Sequence, residues 1–212
     1  MEVKVMLVNG SPHQKGCTYM ALKETAKALE EEGVETEIFW IENKPLSGCI
    51  ACGRCSKDGK CALGGSINRF LEKAAEFDGF IFGSPVHYAA MCGGMTSFMD
   101  RAFFADLCGG RNSFYLKPAA AVTSARRAGT TATLDQMNKY FSLAQMIQIP
   151  SGYWNMVHGA QPEEVSQDEE GLQIMRSLGR NMAWFLRCRE AGEKLAVQLP
   201  KQEPRVHTNF IR

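Results

Sequence analysis

Four cysteines, Cys49, Cys52, Cys55 and Cys61, fall within the segment "GCIACGRCSKDGKCALGG", separated by two, two and five residues. Cysteines three apart can bring two sulfurs to one metal centre. Three in series wrap the backbone around one corner of a cluster, as in the runs that ligate [4Fe–4S] centres. Structural zinc more commonly uses two CxxC pairs set well apart, and this tract leaves little chain for that. Gly48, Gly53 and Gly59 give the tight turns that wrapping requires. Reduced thiols in a surface loop are the third reading, and the spacing leaves all three open. Cys92, Cys108 and Cys188 have no partner at ligand spacing and read as buried structural thiols.

A second chemistry lies in "NGSPHQKGCT", residues 9 to 18, where a short apolar run ends and a helical pattern begins. Free N–H groups and the dipole at a helix start favour a bound phosphate. The triphosphate loop is excluded, because five residues separate Gly10 from Gly16 and Cys17 stands where its lysine would be. The dinucleotide pattern G-x-G-x-x-G is missing too. The hydroxyls of Ser11 and Thr18, with no fixed cation, suit a phosphate monoester such as that of FMN. Cys17 reads as a small helix-start residue rather than a nucleophile, and His13 as solvated near the phosphate.

Two further loops follow apolar runs. "SPVHYAAMCGG" offers Pro85, Val86, His87 and Tyr88 to a flat ring system. His87 and Tyr88 read equally as a turn capping a sheet. "TSARRAGTT" brings Arg126 and Arg127 to the same edge, to meet a reduced flavin or a nicotinamide nucleotide's phosphate, or to be solvated surface. His158 reads as a polar loop residue and His207 as part of a polar tail with no role.

The elements that must position these loops alternate. "VKVMLVN", "VETEIFWI", "GFIFGSP", "PAAAVTSA" and the short "IQIP" read as strands. Helical patterns lie between them, the first stopped by Gly33. The last, "EEGLQIMRSLGRNMAWFLRC", sets Leu172, Met175, Leu178, Met182, Phe185 and Leu186 on one stripe. Strands interleaved with helices predict right-handed crossovers and an open, doubly wound, five-stranded parallel sheet in three layers, an α/β fold. Such sheets bind ligands at the carboxyl ends of their strands, where three of these loops begin.

Bulk properties narrow the partners. The chain has 212 residues, 45% apolar, with 24 Lys and Arg against 23 Asp and Glu. One core follows, expected over 1–190 with the cysteine loop at 48–62 and a tail at 191–212. A net charge of +1 gives no field for nucleic acid. "MEVKVMLVNGSP" lacks the features of a signal peptide, and no run approaches the roughly 18 apolar residues of a membrane span. The expected location is the cytoplasm, where clustered cysteines serve as metal ligands or redox groups rather than disulfides.

With these loops in hand, the sequence resembles the flavodoxin-fold NAD(P)H-dependent FMN reductases, and more narrowly the iron-sulfur flavoproteins. "NGSPHQKGCT" is similar to that family's phosphate loop, "GSPVHYAAMCGGMTSFMDR" to its ring-binding loop and following helix, and "TSARRAGT" to the loop over the ring. The resemblance implies FMN held at Ser11, His13, Gly16, Cys17 and Thr18, at Pro85, Val86, His87 and Tyr88, and at Thr123, Ser124, Arg126 and Gly129. It implies a [4Fe–4S] cluster on Cys49, Cys52, Cys55 and Cys61. Electrons would pass from NAD(P)H to a small-molecule acceptor or a ferredoxin-like redox protein, in a homodimer or homotetramer. A flavodoxin-like carrier and a cluster-free NAD(P)H:quinone or flavin reductase are the alternatives; carriers are typically strongly acidic, which +1 fits poorly.

Overall fold

The computed structural model describes residues 3–204, 206 and 208–210, so His207 lies outside the described residues. Strand β1, Lys4–Asn9, buries Val5, Met6, Leu7 and Val8 completely, as a strand covered on both faces must. Helix α1, Cys17–Glu31, ends where Gly33 takes φ 81° and its N–H, with that of Val34, reaches back to Glu30 and Leu29 carbonyls. There follow β2 (Glu35–Trp40), the cysteine loop with one 3-10 turn at Arg54–Ser56, α2 (Ser66–Ala74) and β3 (Gly79–His87). Next come β4 (Ala90–Met91), α3 (Gly93–Cys108), β5 (Pro118–Ala125), α4 (Thr130–Leu143), β6 (Ile147–Gln148), β7 (Met156–His158), α5 (Pro162–Val165) and α6 (Glu169–Lys194).

The parallel order is β2-β1-β3-β5-β6, with β4 antiparallel to β3. Alternating side chains of β1 supply two cores. Met6 and Val8 join Phe39, Phe70, Phe82 and Phe98 beneath α2, α3 and α4. Val5 and Leu7 join Leu22, Leu29, Met175, Leu178 and Met182 beneath α1 and α6. The result is the expected three-layer α/β architecture.

Particular elements differ from expectation. The fifth position is shared: β6 pairs with β5 at Pro118 and Ala119, and β7 pairs at Thr123 to Ala125. On the α6 stripe Leu172 and Phe185 are half-buried, while Ile174 and Ala183 fill the core beside Met175 and Met182. Gly179 lets α1 approach, since a Cβ there would lie 2.8 Å from the Thr25 carbonyl oxygen. Cys92 is buried as expected, but Cys188 is exposed and Cys108 half-buried, so those two do not share its role. Cys188 lies on the last helix, between residues that meet solvent on its outer face.

Candidate functional site

The switch in strand order falls between β1 and β3, and a crevice of about 920 Å³ opens there at the strands' carboxyl ends. Its floor is the turn between β1 and α1. Asn9, fully buried, shapes that turn: its Oδ1 accepts the Ser11 N–H at 3.0 Å and its Nδ2 donates to the Gln14 carbonyl at 3.0 Å. Ser11 Oγ in turn accepts the His13 N–H at 3.1 Å. The helix then starts at an N-cap, Gly16, with no side chain capping it. Among the described residues the N–H groups of Gln14, Lys15, Thr18 and Tyr19 have no acceptor in the protein. Unused donors at the start of a fifteen-residue helix are an anion site by construction.

Side chains complete the cradle. Thr18 and Ser124, both buried, share a hydroxyl hydrogen bond of 2.8 Å that joins α1 to the end of β5. Trp40, at the end of β2, donates its indole N–H to the Ser11 carbonyl at 2.8 Å and forms one wall. Lys15 and Arg126 are in the lining, with no carboxylate among the lining residues, so the electrostatics favour an anion. Cys17 Sγ lies 3.5 Å from the Gly159 carbonyl, and burial raises its pKa above that of an ordinary thiol. Its position packs the thiol against the Gly159 backbone.

All four cysteines of the loop line one small cavity against α3. Cys55 is buried, Cys61 half-buried, and Cys49 and Cys52 exposed. Burial, then the nearby Cys108, pushes the Cys55 pKa up. Arg101 of α3 enters the same cavity and donates from Nε to Cys61 Sγ at 3.2 Å. Asn68 clamps the backbone of Cys61 on both sides, accepting its N–H at 2.8 Å and donating to its carbonyl at 3.0 Å. Among the described residues no three Cys, His, Asp or Glu side chains converge to hold a single metal ion.

Residues 3–161 match the family model for the NADPH-dependent FMN reductases, three quarters of the chain. The chain belongs to the NADPH-dependent FMN reductase family. Membership makes it an FMN-dependent oxidoreductase. An iron-sulfur flavoprotein of Methanocaldococcus jannaschii is 32% identical over 190 residues, spanning 85% of this chain and 96% of the relative. One of Archaeoglobus fulgidus is 28% identical, over 84% of this chain and 95% of the relative. A solved structure of RosB, with bound 8-demethyl-8-formylriboflavin-5'-phosphate, superposes at a TM-score of 0.68 over 99% of this chain and 94% of that one. At 14% identity that likeness shows the fold alone. No helix among the described residues is long and apolar enough to cross a membrane.

In this FMN reductase family member, the crevice brings together Ser11, His13, Gly16, Cys17, Thr18, Pro85, Val86, Ser124 and Arg126 of the sequence-derived set. Four others stand outside the lining. Thr123 is fully buried and donates its hydroxyl to the Ser84 carbonyl at 3.1 Å, tying β5 to β3 beneath the crevice. Gly129, with φ 96°, caps α4, and a Cβ there would lie 2.7 Å from Ala89 Cα. His87 ends β3, and Tyr88 projects fully into solvent from the β3–β4 turn, where it and Ala89 take φ 50° and 60°. His158 is exposed on β7, its N–H donated to Asp168 Oδ2 at 2.7 Å.

Asn9, Trp40, Lys15 and Gly159 were not singled out from the sequence. A polar Asn closing an apolar strand before Gly, and a Trp closing the neighbouring strand, were the available signals. Arg101 gave one too, a basic residue within the otherwise apolar face of "SFMDRAFF".

Proposed function

We propose that FMN binds in this crevice, its phosphate on residues 11–18 and its ring against residues 85–86 and 124–126, and that a [4Fe–4S] cluster is carried by Cys49, Cys52, Cys55 and Cys61. The FMN would supply hydride acceptance and electron transfer between NAD(P)H and an acceptor that is a small molecule or a ferredoxin-like protein. The observation that carries the reading is the set of unused N–H donors at the start of α1, beside the Thr18–Ser124 hydroxyl pair and free of carboxylates. A phosphate monoester matches that donor set in charge and in number of acceptors.

The chain's own residues bind and orient. Asn9 and Trp40 hold the turn that lines the crevice. Arg126 brings positive charge to the rim, and Cys17, held as a neutral thiol, adds no negative charge beside the anion. No side chain is required as acid, base or nucleophile. For the cysteine loop, donor chemistry supports a cluster over zinc. Zinc needs its sulfurs on one point at about 2.3 Å, whereas a cuboidal centre takes one thiolate at each of four separated irons. Four thiols lining one cavity supply the four ligands of the second arrangement. A working dimer or tetramer is part of the same reading.

The experiment is anaerobic purification, with flavin, iron and acid-labile sulfide measured per chain and the visible spectrum followed on mixing with NADH and NADPH. Bound FMN bleached by either nucleotide is the expected result. Bound FMN that neither nucleotide bleaches favours an electron carrier, and colourless protein that refuses micromolar FMN overturns the reading. Cys52→Ala is expected to lose iron absorbance and keep FMN at full stoichiometry; loss of both together counts against two separate sites.

A further inference from the structure

Arg101 is the most deeply buried charged side chain at the cysteine loop, 3% exposed. A guanidinium stays protonated, and a buried charge is tolerated only when an opposite charge or a full set of hydrogen bonds compensates it. Among the described residues no carboxylate pairs with it. Its donors go instead to the Gly64 carbonyl at 2.9 Å, the Ser47 carbonyl at 3.4 Å and Cys61 Sγ at 3.2 Å, all three belonging to the cysteine loop or its flanks. Two carbonyl dipoles and a thiol do not neutralise a cation at this depth. Arg101 also lines the cavity shared by the four cysteines, where an anion would supply the opposite charge it lacks.

We infer that Arg101 is the fixed counter-charge of an anionic thiolate-ligated iron-sulfur centre on this loop, and that it sets the centre's reduction potential through Cys61. The inference rests on the cluster reading above and adds the residue that tunes it. Four thiolates around a [4Fe–4S] core carry net negative charge, which grows by one on reduction. A buried cation hydrogen-bonded to one ligand sulfur stabilises the more negative state, so it raises the potential. The step adds one electron from an external reductant, dithionite in the test, and neither forms nor breaks a bond in the protein. Arg101 is a positioning residue as well, because its contacts to Ser47 and Gly64 hold both flanks of the loop on α3.

The test is a potentiometric titration of the full chain, purified anaerobically, as wild type, Arg101→Gln and Arg101→Lys, with iron, sulfide and FMN determined on each. Arg101→Gln is expected to lower the ratio of reduced to oxidised cluster at least tenfold at a fixed potential, which is 59 mV for one electron. Arg101→Lys, which keeps the charge, should lie nearer wild type, and FMN content should be unchanged in both. Retention of iron by Arg101→Lys but not by Arg101→Gln would also support the inference. A fully loaded Arg101→Gln with the wild-type potential overturns it, as does loss of iron from both variants, which would make the guanidinium's shape rather than its charge the requirement. Wild-type protein that holds FMN but no iron removes the cluster reading itself, and this inference with it.

Discussion

The crevice and the cysteine loop both lean on α3, yet they are held by different means. At one end of the helix, Cys92 donates its thiol to the Gly10 carbonyl and Met95 packs against Gly10, so the turn before α1 is fixed by regular elements on all sides. In the second half of the helix, the cysteine loop has no strand neighbour and one 3-10 turn. Side chains and close backbone contacts hold it: Arg101 on its flanks, Asn68 on Cys61, and Gly109 against Gly59. A site made by backbone donors at the end of a sheet is set by the fold and is formed before any ligand arrives. A site made by side chains on an irregular loop depends on a few contacts.

The largest expected effects come from glycines that serve one region and not the other. A Cβ on Gly109 would lie 2.2 Å from Gly59 Cα, backbone that must move. A Cβ on Gly10 would lie 2.6 Å from Met95 Sδ and 2.8 Å from the Gly83 carbonyl oxygen. Each alanine substitution should cost about 1–3 kcal/mol or more by overpacking. Gly109→Ala should lose iron and keep flavin, and Gly10→Ala the reverse, read from thermal melts with iron and flavin per chain. Equal loss of both groups in either variant would show that α3 couples the two regions. Next in size is Thr18→Val, which keeps shape but removes the hydroxyl shared with Ser124. Leaving that buried partner unpaired should cost about 1–3 kcal/mol of stability in thermal melts, and the loss of a hydroxyl from the cradle should also weaken FMN binding measured by fluorescence quenching, with iron unchanged.

Trp40→Phe removes the indole hydrogen bond to Ser11, about 0.5–1.5 kcal/mol, together with part of one crevice wall, and a several-fold rise in the FMN dissociation constant is the expected outcome. The smallest effect is a pH slope on the cysteine side. Asp106 accepts the Ser113 N–H at 3.2 Å in the turn that follows α3, and burial raises its pKa above 3.8. The folded chain therefore keeps this proton where the unfolded chain has lost it, and stability declines as pH rises through the window above 3.8. Asp106→Asn retains an acceptor and should flatten that decline in denaturant melts between about pH 4 and 7.

The crevice was more legible than the loop for the same reason. β1 and α1 announce themselves by an unbroken apolar run and a helical period, and a turn between two such elements has one place to go. The ends of β3 and β5 follow from the sheet's order, which brought Pro85, Val86 and Ser124 to Ser11. Tyr88 was harder to place, because two non-glycine residues at positive φ carry no turn signal, and the hairpin aims that ring into solvent. The split fifth strand escaped because β6 and β7 are two and three residues long, below any useful period. The role of Arg101 was harder to read for another reason: its apolar setting in "SFMDRAFF" marks it as buried, but its partners lie some forty residues upstream on a loop without periodicity.

That split strand has a consequence for how copies of this chain can meet. Among the described residues, Ala120 to Val122 of β5 have no strand beside them on that side, and the flanking pieces are too short to template a long ladder. Tyr153 and Trp154 are exposed on the intervening excursion and line a pocket with Ala119, Ala120 and Ala121 of β5. An interrupted margin of this kind resists edge-to-edge growth into fibres. At this margin, the chain offers an incoming strand little continuous backbone to pair with.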